Sequence, residues 1–187
     1  MSFYLLIFVA VVAVVALWLI GMYNGFIKLR NKVDEAWGGI QIQLKRRYDL
    51  IPNLVETVKG YASHEKETFE RLVQARNAAL QVPTADVQGQ AQAQGAIASA
   101  LKSVFAIAES YPELRASENF QQLQNALMEV EDNLQMARRY YQATVRDFNN
   151  KVETFPSMII ASIFNFAKRA YFELDNPEEA RNVQVKF

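Results

Sequence analysis

The sequence predicts an all-α protein: a single N-terminal transmembrane helix followed by an antiparallel, up-and-down four-helix bundle. First, residues 3–20 are apolar and contain neither charge nor proline. Second, apolar residues in the rest of the chain recur at steps of three and four, which is the period of an α-helix. Third, prolines divide this pattern into segments with short connections. Short connections make consecutive helices antiparallel neighbours.

The apolar run from Phe3 to Ile20 reads FYLLIFVAVVAVVALWLI. A helix of about 20 apolar residues, rising about 1.5 Å per residue, spans a hydrocarbon core of about 30 Å. Trp18 lies near one end of the run, where aromatic rings favour the membrane interface. We therefore predict a membrane anchor at residues 1–22, a bundle domain at 23–155 and an apolar C-terminal segment at 156–187.

A cleaved signal peptide is the alternative for this run. The two residues before it carry no basic side chain, and no small-x-small motif follows it, so we predict an uncleaved anchor. The first charged side chains after the run are Lys28, Arg30 and Lys32. By the positive-inside bias, this flank stays in the cytoplasm and the N-terminus lies outside. The opposite orientation stays open because one span carries the whole signal.

The composition limits the possible functions. Twenty basic and twenty acidic residues balance in 187 residues, so the overall charge does not favour nucleic acid. Cysteine is absent, which excludes disulfides, thiolate zinc sites and cysteine nucleophiles. The length suits one soluble domain of common size behind the anchor.

The first bundle helix is predicted at residues 22–48. Proline at position 52 disfavours helix at Ile51 and removes an amide donor, while Asp49 can cap a following helix. A break or sharp kink is therefore predicted at Asp49 to Pro52, and the pattern leaves open a tight turn or a kink in one long helix. The apolar residues of this first stripe are Phe26, Leu29, Val33, Trp37, Ile40, Leu44 and Tyr48.

The second and third helices are predicted at residues 51–82 and 84–110. The third begins with QGQAQAQGAIASA, at 88–100, which suits either a flexible linker or a helix whose small side chains let a neighbour approach closely. We favour a helix because Ile97, Leu101 and Val104 continue the apolar stripe.

The fourth helix is predicted at residues 117–154, from a capping Ser117 to the Phe155-Pro156 pair. Two rows of residues spaced by seven run along it, which is usual in coiled coils and in the cores of helical bundles. The rows are Phe120, Leu127, Leu134, Tyr141, Phe148 and Phe155, and Leu123, Val130, Ala137 and Thr144.

The segment after Phe155 reads PSMIIASIFNFAKR. If the four helices alternate in direction, Phe155 finishes near the membrane. The segment is too short to span, so it either lies in the membrane interface, folds back over the bundle or packs against another subunit. Its candidate interfacial or oligomer contacts are Met158, Ile159, Ile163, Phe164 and Phe166.

No group of residues in the sequence indicates a reaction. His64-Glu65 begins HEKET, but a zinc helix needs a second histidine where Thr68 stands, and His64 is the single histidine. We find no glycine-rich phosphate loop, di-iron ligand pair or nucleophile elbow. We therefore predict no catalytic residue, metal or cofactor, although a carboxylate pair assembled in space would escape this reasoning.

Several polar residues stand beside the apolar stripes. The basic run at 45–47 suits the end of a helix, where cations favour its dipole, or a contact for a partner protein. Buried charges must be paired, so we predict an interhelical contact of Glu65 with an arginine, unless these long side chains extend to the surface. The candidate polar sites are Arg46, Arg47, Asp49, His64, Glu65, Arg76, Arg138, Arg139 and Asn149.

Two long strings resemble the LemA family. They are YNGFIKLRNKVDEAWGGIQIQLKRRYDLIPNLVETVKGYASHEKETFERLVQARN, at residues 23–77, and ARRYYQATVRDFNNKVETFPSMIIASIFNF, at 137–166. The resemblance implies a single-pass bacterial membrane protein with a small extracytoplasmic N-terminus and a helical soluble domain, but no biochemical activity. Met158 and Asn165 stand where the second signature has Asn and Gly.

We expect a non-enzymatic, membrane-anchored scaffold of the bacterial inner membrane that self-associates and recruits protein partners. The anchor at residues 1–22 contacts lipid, and no nucleic acid is expected. The alternative is a monomeric signalling or quality-control adaptor acting through the basic end at Lys45 to Pro52. A hydrolase is a distant third.

Overall fold

The computed structural model describes residues 2–173, and within that range it contains six α-helices and no strand. The predicted all-α class is confirmed. The part of the C-terminal segment from residue 174 onward lies outside the described residues. The helices are α1 (Ser2–Lys59), α2 (Lys66–Gln81), α3 (Val87–Ser110), α4 (Pro112–Ala116), α5 (Glu118–Glu153) and α6 (Ser157–Ile163).

The described residues divide into two compact units. Residues 2–38 and 139–170 form one, which we call the anchor unit, and residues 39–138 and 171–173 form the other, which we call the core unit. Helices α1 and α5 each contribute residues to both units. The predicted division at residues 22 and 155 stays a prediction.

In the anchor unit, the exposed apolar part of α1 is followed within a few residues by side chains that pack against α5. None of its 18-residue apolar window is buried, which suits a segment that meets lipid. Phe26 is fully buried, and its ring lies 6.3 Å from that of Phe148 on α5. Farther along α1, the Trp37 ring lies 5.3 Å from that of Tyr141. The order of these pairs shows that α5 runs antiparallel to α1.

Most residues of the heptad row of α5 that begins at Phe120 are buried. Phe120, Leu127 and Leu134 are buried in the core unit, and Tyr141 and Phe148 are buried in the anchor unit. The prediction for the last member of the row is wrong. Phe155 is 77% exposed because α5 ends at Glu153, before the row reaches it.

In the core unit, residues 39–59 of α1 pack with α2, α3 and the first part of α5. Side-chain contacts join Tyr48 to Arg76 of α2 and to Gln90 of α3. The glutamine-rich segment is helical, as predicted, and begins at a capping Asp86 whose carboxylate accepts the Gly89 amide at 2.9 Å. Gln94 is fully buried, so this segment is part of the packed core.

Of the break or sharp kink predicted at Asp49 to Pro52, the break is wrong, because the helix is continuous there. Helix α1 continues through Pro52 to Lys59, and the chain turns at residues 60–65. Proline has no N–H, so the Tyr48 carbonyl, four residues earlier, loses its intrahelical donor. The Nε of Arg76 on α2 donates to this carbonyl at 2.8 Å. A donor from a neighbouring helix therefore satisfies the group that proline leaves unpaired, which local sequence rules do not anticipate.

We expect Arg76→Met to destabilise the chain by about 1–3 kcal/mol, because it leaves the Tyr48 carbonyl unpaired. In a Pro52→Ala background the new amide supplies the missing donor, so the same change should cost less than about 1 kcal/mol. Urea unfolding of the detergent-solubilised chain, followed by circular dichroism, measures both values.

Arg71→Met is the matched control for this cycle. Arg71 lies on the same helix and pairs with Glu67 at the surface, so its loss should cost no more than about 0.5 kcal/mol. Equal costs of Arg76→Met in the two backgrounds would contradict the assigned role of Arg76.

Candidate functional site

An ion pair in the core unit joins a buried arginine to a half-buried glutamate. Arg47 is only 5% exposed, and its Nη2 lies 3.1 Å from Oε2 of Glu131 on α5. Its Nη1 donates to Oε1 of Gln94 on α3 at 3.3 Å. Burial lowers the pKa of Arg47, while the charge of Glu131 acts in the opposite direction. A guanidinium taken out of water is tolerated here because α5 supplies the counterion Glu131 and α3 supplies the acceptor Gln94.

Tyr48 extends this pair into a network. Its hydroxyl accepts from Nε2 of Gln94 and donates to Oε1 of Gln90 at 3.4 Å. Nε2 of Gln90 donates to the carbonyl of Val82 at 2.9 Å. Burial raises the pKa of Tyr48, so the hydroxyl stays protonated at neutral pH and can donate. These polar side chains bond to one another, which suits a structural role.

A surface cavity of about 440 Å³ opens beside this network. Tyr48 and Gln90 line it, together with the large apolar side chains of Ile42 and Leu80, which are 61% and 53% exposed. Lys45 also lines it, as do Gln41, Leu44, Asp49 and Thr84. We call this cavity and its lining the α1 groove. It joins exposed apolar side chains to charges of both signs, a composition that suits a protein contact.

The three residues of the basic run at 45–47 differ in their exposure to solvent. Lys45 and Arg46 are exposed, and Arg46 makes a loose pair with Glu129 at 3.7 Å. Arg47 lies in the core and is therefore not available to a partner. The run also lies within α1, twelve or more residues before the helix ends, so it does not cap a helix terminus.

His64 and Glu65 lie in and beside the turn between α1 and α2. Glu65 is the N-cap residue of α2, and its side chain makes no capping hydrogen bond. The predicted ion pair of Glu65 with an arginine is not formed among residues 2–173, where the buried Arg47 pairs with Glu131 instead. Within that range no three His, Asp or Glu side chains are grouped as a metal site.

In the anchor unit, Asn149 fixes the chain that follows α6. Its Nδ2 donates to the Arg169 carbonyl at 3.0 Å, and its Oδ1 accepts the Arg169 amide at 2.8 Å. The Tyr141 hydroxyl donates to the Ala170 carbonyl at 2.9 Å. The Arg169 side chain pairs with Asp34 of α1 at 3.0 Å. Asn149 therefore holds the backbone at Arg169 against α5 through two hydrogen bonds.

The two remaining candidate arginines are Arg138 and Arg139, which are consecutive residues of α5. Arg138, in the core unit, places its guanidinium carbon 5.2 Å from the centre of the Phe172 ring. Such a cation–π contact stabilises the packing of Phe172, near the end of the described chain, against α5. Arg139 belongs to the anchor unit and is exposed.

The segment after α5 packs on α1 directly beyond the apolar span. The ring of Phe166 stacks on that of Phe26 with 4.7 Å between centroids and an angle of 10°. The Phe164 ring lies 4.8 Å from that of Tyr23. The amine of Lys151 lies 5.0 Å from the centre of the Phe26 ring. Burial lowers the pKa of this lysine.

Helix α6 presents two different faces. Ile160 and Ala161 are buried, whereas Met158, Ile159 and Ile163 are exposed. Phe164, which follows the helix, is half exposed beside its contact with Tyr23. Four of the five residues predicted as interfacial or oligomer contacts therefore lie in or next to α6, close to the part of α1 that follows the apolar run. Phe166 is the exception, since it packs inward on Phe26.

Asn165 directs the chain from α6 back to α1. It has a φ of 55°, in the left-handed region where Gly is favoured and Asn is tolerated. The Phe166 amide donates to the Ala161 carbonyl at 2.9 Å and the Asn165 amide to that of Ser162 at 3.4 Å. These two bonds form a Schellman motif. Asn here is compatible with the same turn as the Gly of the second LemA signature.

Sequence reasoning missed the partners of these residues. Gln90, Gln94 and Glu131 are separated from Arg47 by more than 40 positions, so no local pattern links them. The glutamine-rich start of α3 was a usable signal, because glutamines at buried helical positions need partners. A usable signal for the turn at Asn165 was the Gly that the second LemA signature has at this position, because Gly favours a positive φ.

We expect Glu131→Gln to destabilise the chain by about 2 kcal/mol, because it leaves the buried Arg47 charge without its counterion. The neighbouring exposed pair provides a matched control, and Glu129→Gln should cost less than about 0.5 kcal/mol. Urea unfolding with circular dichroism measures the difference, and equal costs would show that Arg47 does not depend on Glu131.

Comparison with known proteins agrees with this architecture. The model of the LemA family matches residues 36–187. Protein LemA of Metamycoplasma hominis is 26% identical over 179 residues, covering 94% of this chain and 80% of that protein. Magnetosome protein MamQ 2 of Paramagnetospirillum magneticum is 23% identical over 194 residues, covering 90% and 71%. The resemblance seen in the sequence is confirmed, and the chain belongs to the LemA family.

Proposed function

We propose that this chain is a membrane-anchored, non-catalytic helical scaffold that self-associates and recruits partner proteins at the bacterial membrane. The observation that carries the proposal is the α1 groove, where exposed Ile42 and Leu80 flank a cavity of about 440 Å³. The groove lies on the helix that also contains the membrane span.

The groove can supply the free energy of a protein contact. Fully burying one exposed aliphatic side chain contributes about 1.5–3 kcal/mol. Two such side chains beside a concave surface can therefore form the centre of an interface, with polar residues at its rim.

A second copy of the chain is the proposed occupant of the groove. Lys45 and Asp49 both line it. A contact between identical surfaces can pair Lys45 of each copy with Asp49 of the other, because a two-fold interface matches each residue reciprocally. Two copies anchored in one membrane also meet at a raised effective concentration, which makes a modest interface sufficient.

The hydrogen bonds among the buried polar side chains support the absence of catalysis. The Arg47, Tyr48, Gln90 and Gln94 side chains bond to one another and to a backbone carbonyl. Internal hydrogen bonds of this kind hold helices in register and leave few groups to act on a substrate. The relatives, Protein LemA and Magnetosome protein MamQ 2, have names that state no reaction.

A monomeric adaptor is the second candidate, and one observation favours it. Lys45 and Arg46 are exposed next to the groove, so an acidic partner could bind across this basic surface without self-association. Because Arg47 is buried, only these two cations of the run can take part.

The localisation follows from the anchor. Membrane association is supported by the apolar span and by the family, and we propose a single-pass protein of the inner membrane with its helical domain in the cytoplasm. The exposed cations Lys28, Arg30 and Lys32, just beyond the span, favour this orientation by the positive-inside bias.

We expect Ile42→Glu to weaken self-association by about tenfold to a hundredfold, because a charge would replace buried apolar surface. Light scattering of the detergent-solubilised full chain across a concentration series measures this change. Met128→Glu is the control, since Met128 is exposed on α5 of the core unit and does not line the groove.

A wild-type chain that is monomeric at all concentrations would contradict self-association. If that monomer still binds other membrane proteins and loses them on Lys45→Glu, the adaptor is the better description. An equal effect of Met128→Glu would argue against the groove as the interface.

The orientation can be tested with single cysteines, because the chain has none of its own. We expect Ser2→Cys to react with a membrane-impermeant maleimide in intact spheroplasts, and His64→Cys to react only after permeabilisation. The reverse pattern would place the domain outside the cytoplasm.

A further inference from the structure

We propose that α6 and its flanking residues form a second membrane contact, in which an exposed apolar face inserts into the headgroup layer beside the transmembrane helix. The surface consists of Phe155, Met158, Ile159, Ile163 and Phe164, all of which are exposed. We call it the α6 face. The occupant is the lipid interface itself, and the proposal goes beyond the scaffold function.

The amphipathic character of α6 supports this proposal. Ile160 and Ala161 are buried in the anchor unit, so the helix is already held by one side. The other side exposes the large apolar side chains of Met158, Ile159 and Ile163. Soluble surfaces rarely leave such side chains contiguous unless a partner or a membrane covers them.

The contacts with α1 place this face at the depth of the lipid headgroups. The Phe164 ring lies 4.8 Å from that of Tyr23. Tyr23 follows Ile20, the last residue of the apolar run, by three residues, which is about 4.5 Å of helix rise. The headgroup layer extends about 5–7 Å beyond the hydrocarbon core on each side. A span tilted by about 20° changes this depth very little.

The α6 face is therefore continuous with the surface of the membrane span. Amphipathic helices at interfaces bury their apolar side about 5–10 Å into the boundary between headgroups and acyl chains. A helix held beside Tyr23 meets this boundary without any movement of the anchor unit. A second copy or another protein would have to enter the headgroup layer to cover the same face.

The two cations that follow α6 give no reason to expect a mainly electrostatic contact. Lys168 pairs with Glu153 at 2.6 Å, and Arg169 pairs with Asp34 at 3.0 Å. These two cations are compensated within the chain, so attraction to anionic lipid contributes little through them. The contact should therefore depend weakly on salt and on the anionic lipid content.

Site-specific labelling can test the proposal in the full chain, because the sequence contains no cysteine. An environment-sensitive fluorophore is attached at Ile163→Cys, which is 64% exposed, and at Met136→Cys, which is 56% exposed on α5 of the core unit. The chain is reconstituted in phosphatidylcholine vesicles with or without lipid that carries a nitroxide near the headgroup.

We expect the nitroxide lipid to quench the label at position 163 about twofold or more, as for a group within the interface, and to leave position 136 unchanged. Raising the salt from about 0.1 to about 0.5 M, which screens surface charges, should not alter the result. A label at Met158→Cys repeats the test if Ile163→Cys fails to fold by circular dichroism.

Three results would overturn the proposal. A label quenched by aqueous iodide but not by lipid nitroxide would show a face open to water. A label shielded from both would show that the segment is covered by the protein's own chain. Energy transfer between differently labelled copies, without lipid quenching, would show a contact between copies. None of these results depends on the groove, which the Ile42→Glu measurement tests separately.

Discussion

The hydrogen bond from Arg76 to the Tyr48 carbonyl joins α2 to the point on α1 where Pro52 removes a donor. This bond lets α1 continue through a proline, which would otherwise cost about 3 kcal/mol or break the helix. Because α1 continues, the chain turns at residues 60–65, and α2 begins at Lys66. A side chain that is remote in sequence therefore helps α1 to continue past Pro52.

The Arg47 network is built around the same turn of α1. Arg47 and Tyr48 receive partners from α3 and α5, and the carbonyl of Tyr48 receives one from α2. Four helices thus meet around two consecutive residues. Apolar packing would tolerate several rotations of these helices, whereas hydrogen bonds to a buried guanidinium tolerate few, so the network determines which faces meet. The α1 groove, lined by Tyr48 and Gln90, is one result of that arrangement.

The anchor unit uses aromatic packing where the core unit uses polar bonds. Phe26, Phe148 and Phe166 pack together just beyond the span, and Asn149 and Tyr141 hold the following backbone. Asn165 makes this possible by adopting a left-handed conformation at the end of α6. The exposed side of α6 is thereby held beside Tyr23. These contacts underlie the proposed insertion into the lipid interface.

The sequence alone determined the fold class, the apolar run that suits a membrane span and most of the buried positions, because apolar periodicity and the length of an apolar run can be seen in the local sequence. It also indicated the family through two long strings. The tertiary structure decided where α1 ends, which arginine is buried and which side of α6 is exposed. The first two features depend on Arg76, Glu131 and Gln94, and the third depends on contacts of Tyr23 and Phe26 with the chain after α6. All of these partners lie far apart in the sequence. A helix break at proline is a local expectation, and a remote donor that satisfies the freed carbonyl overrides it.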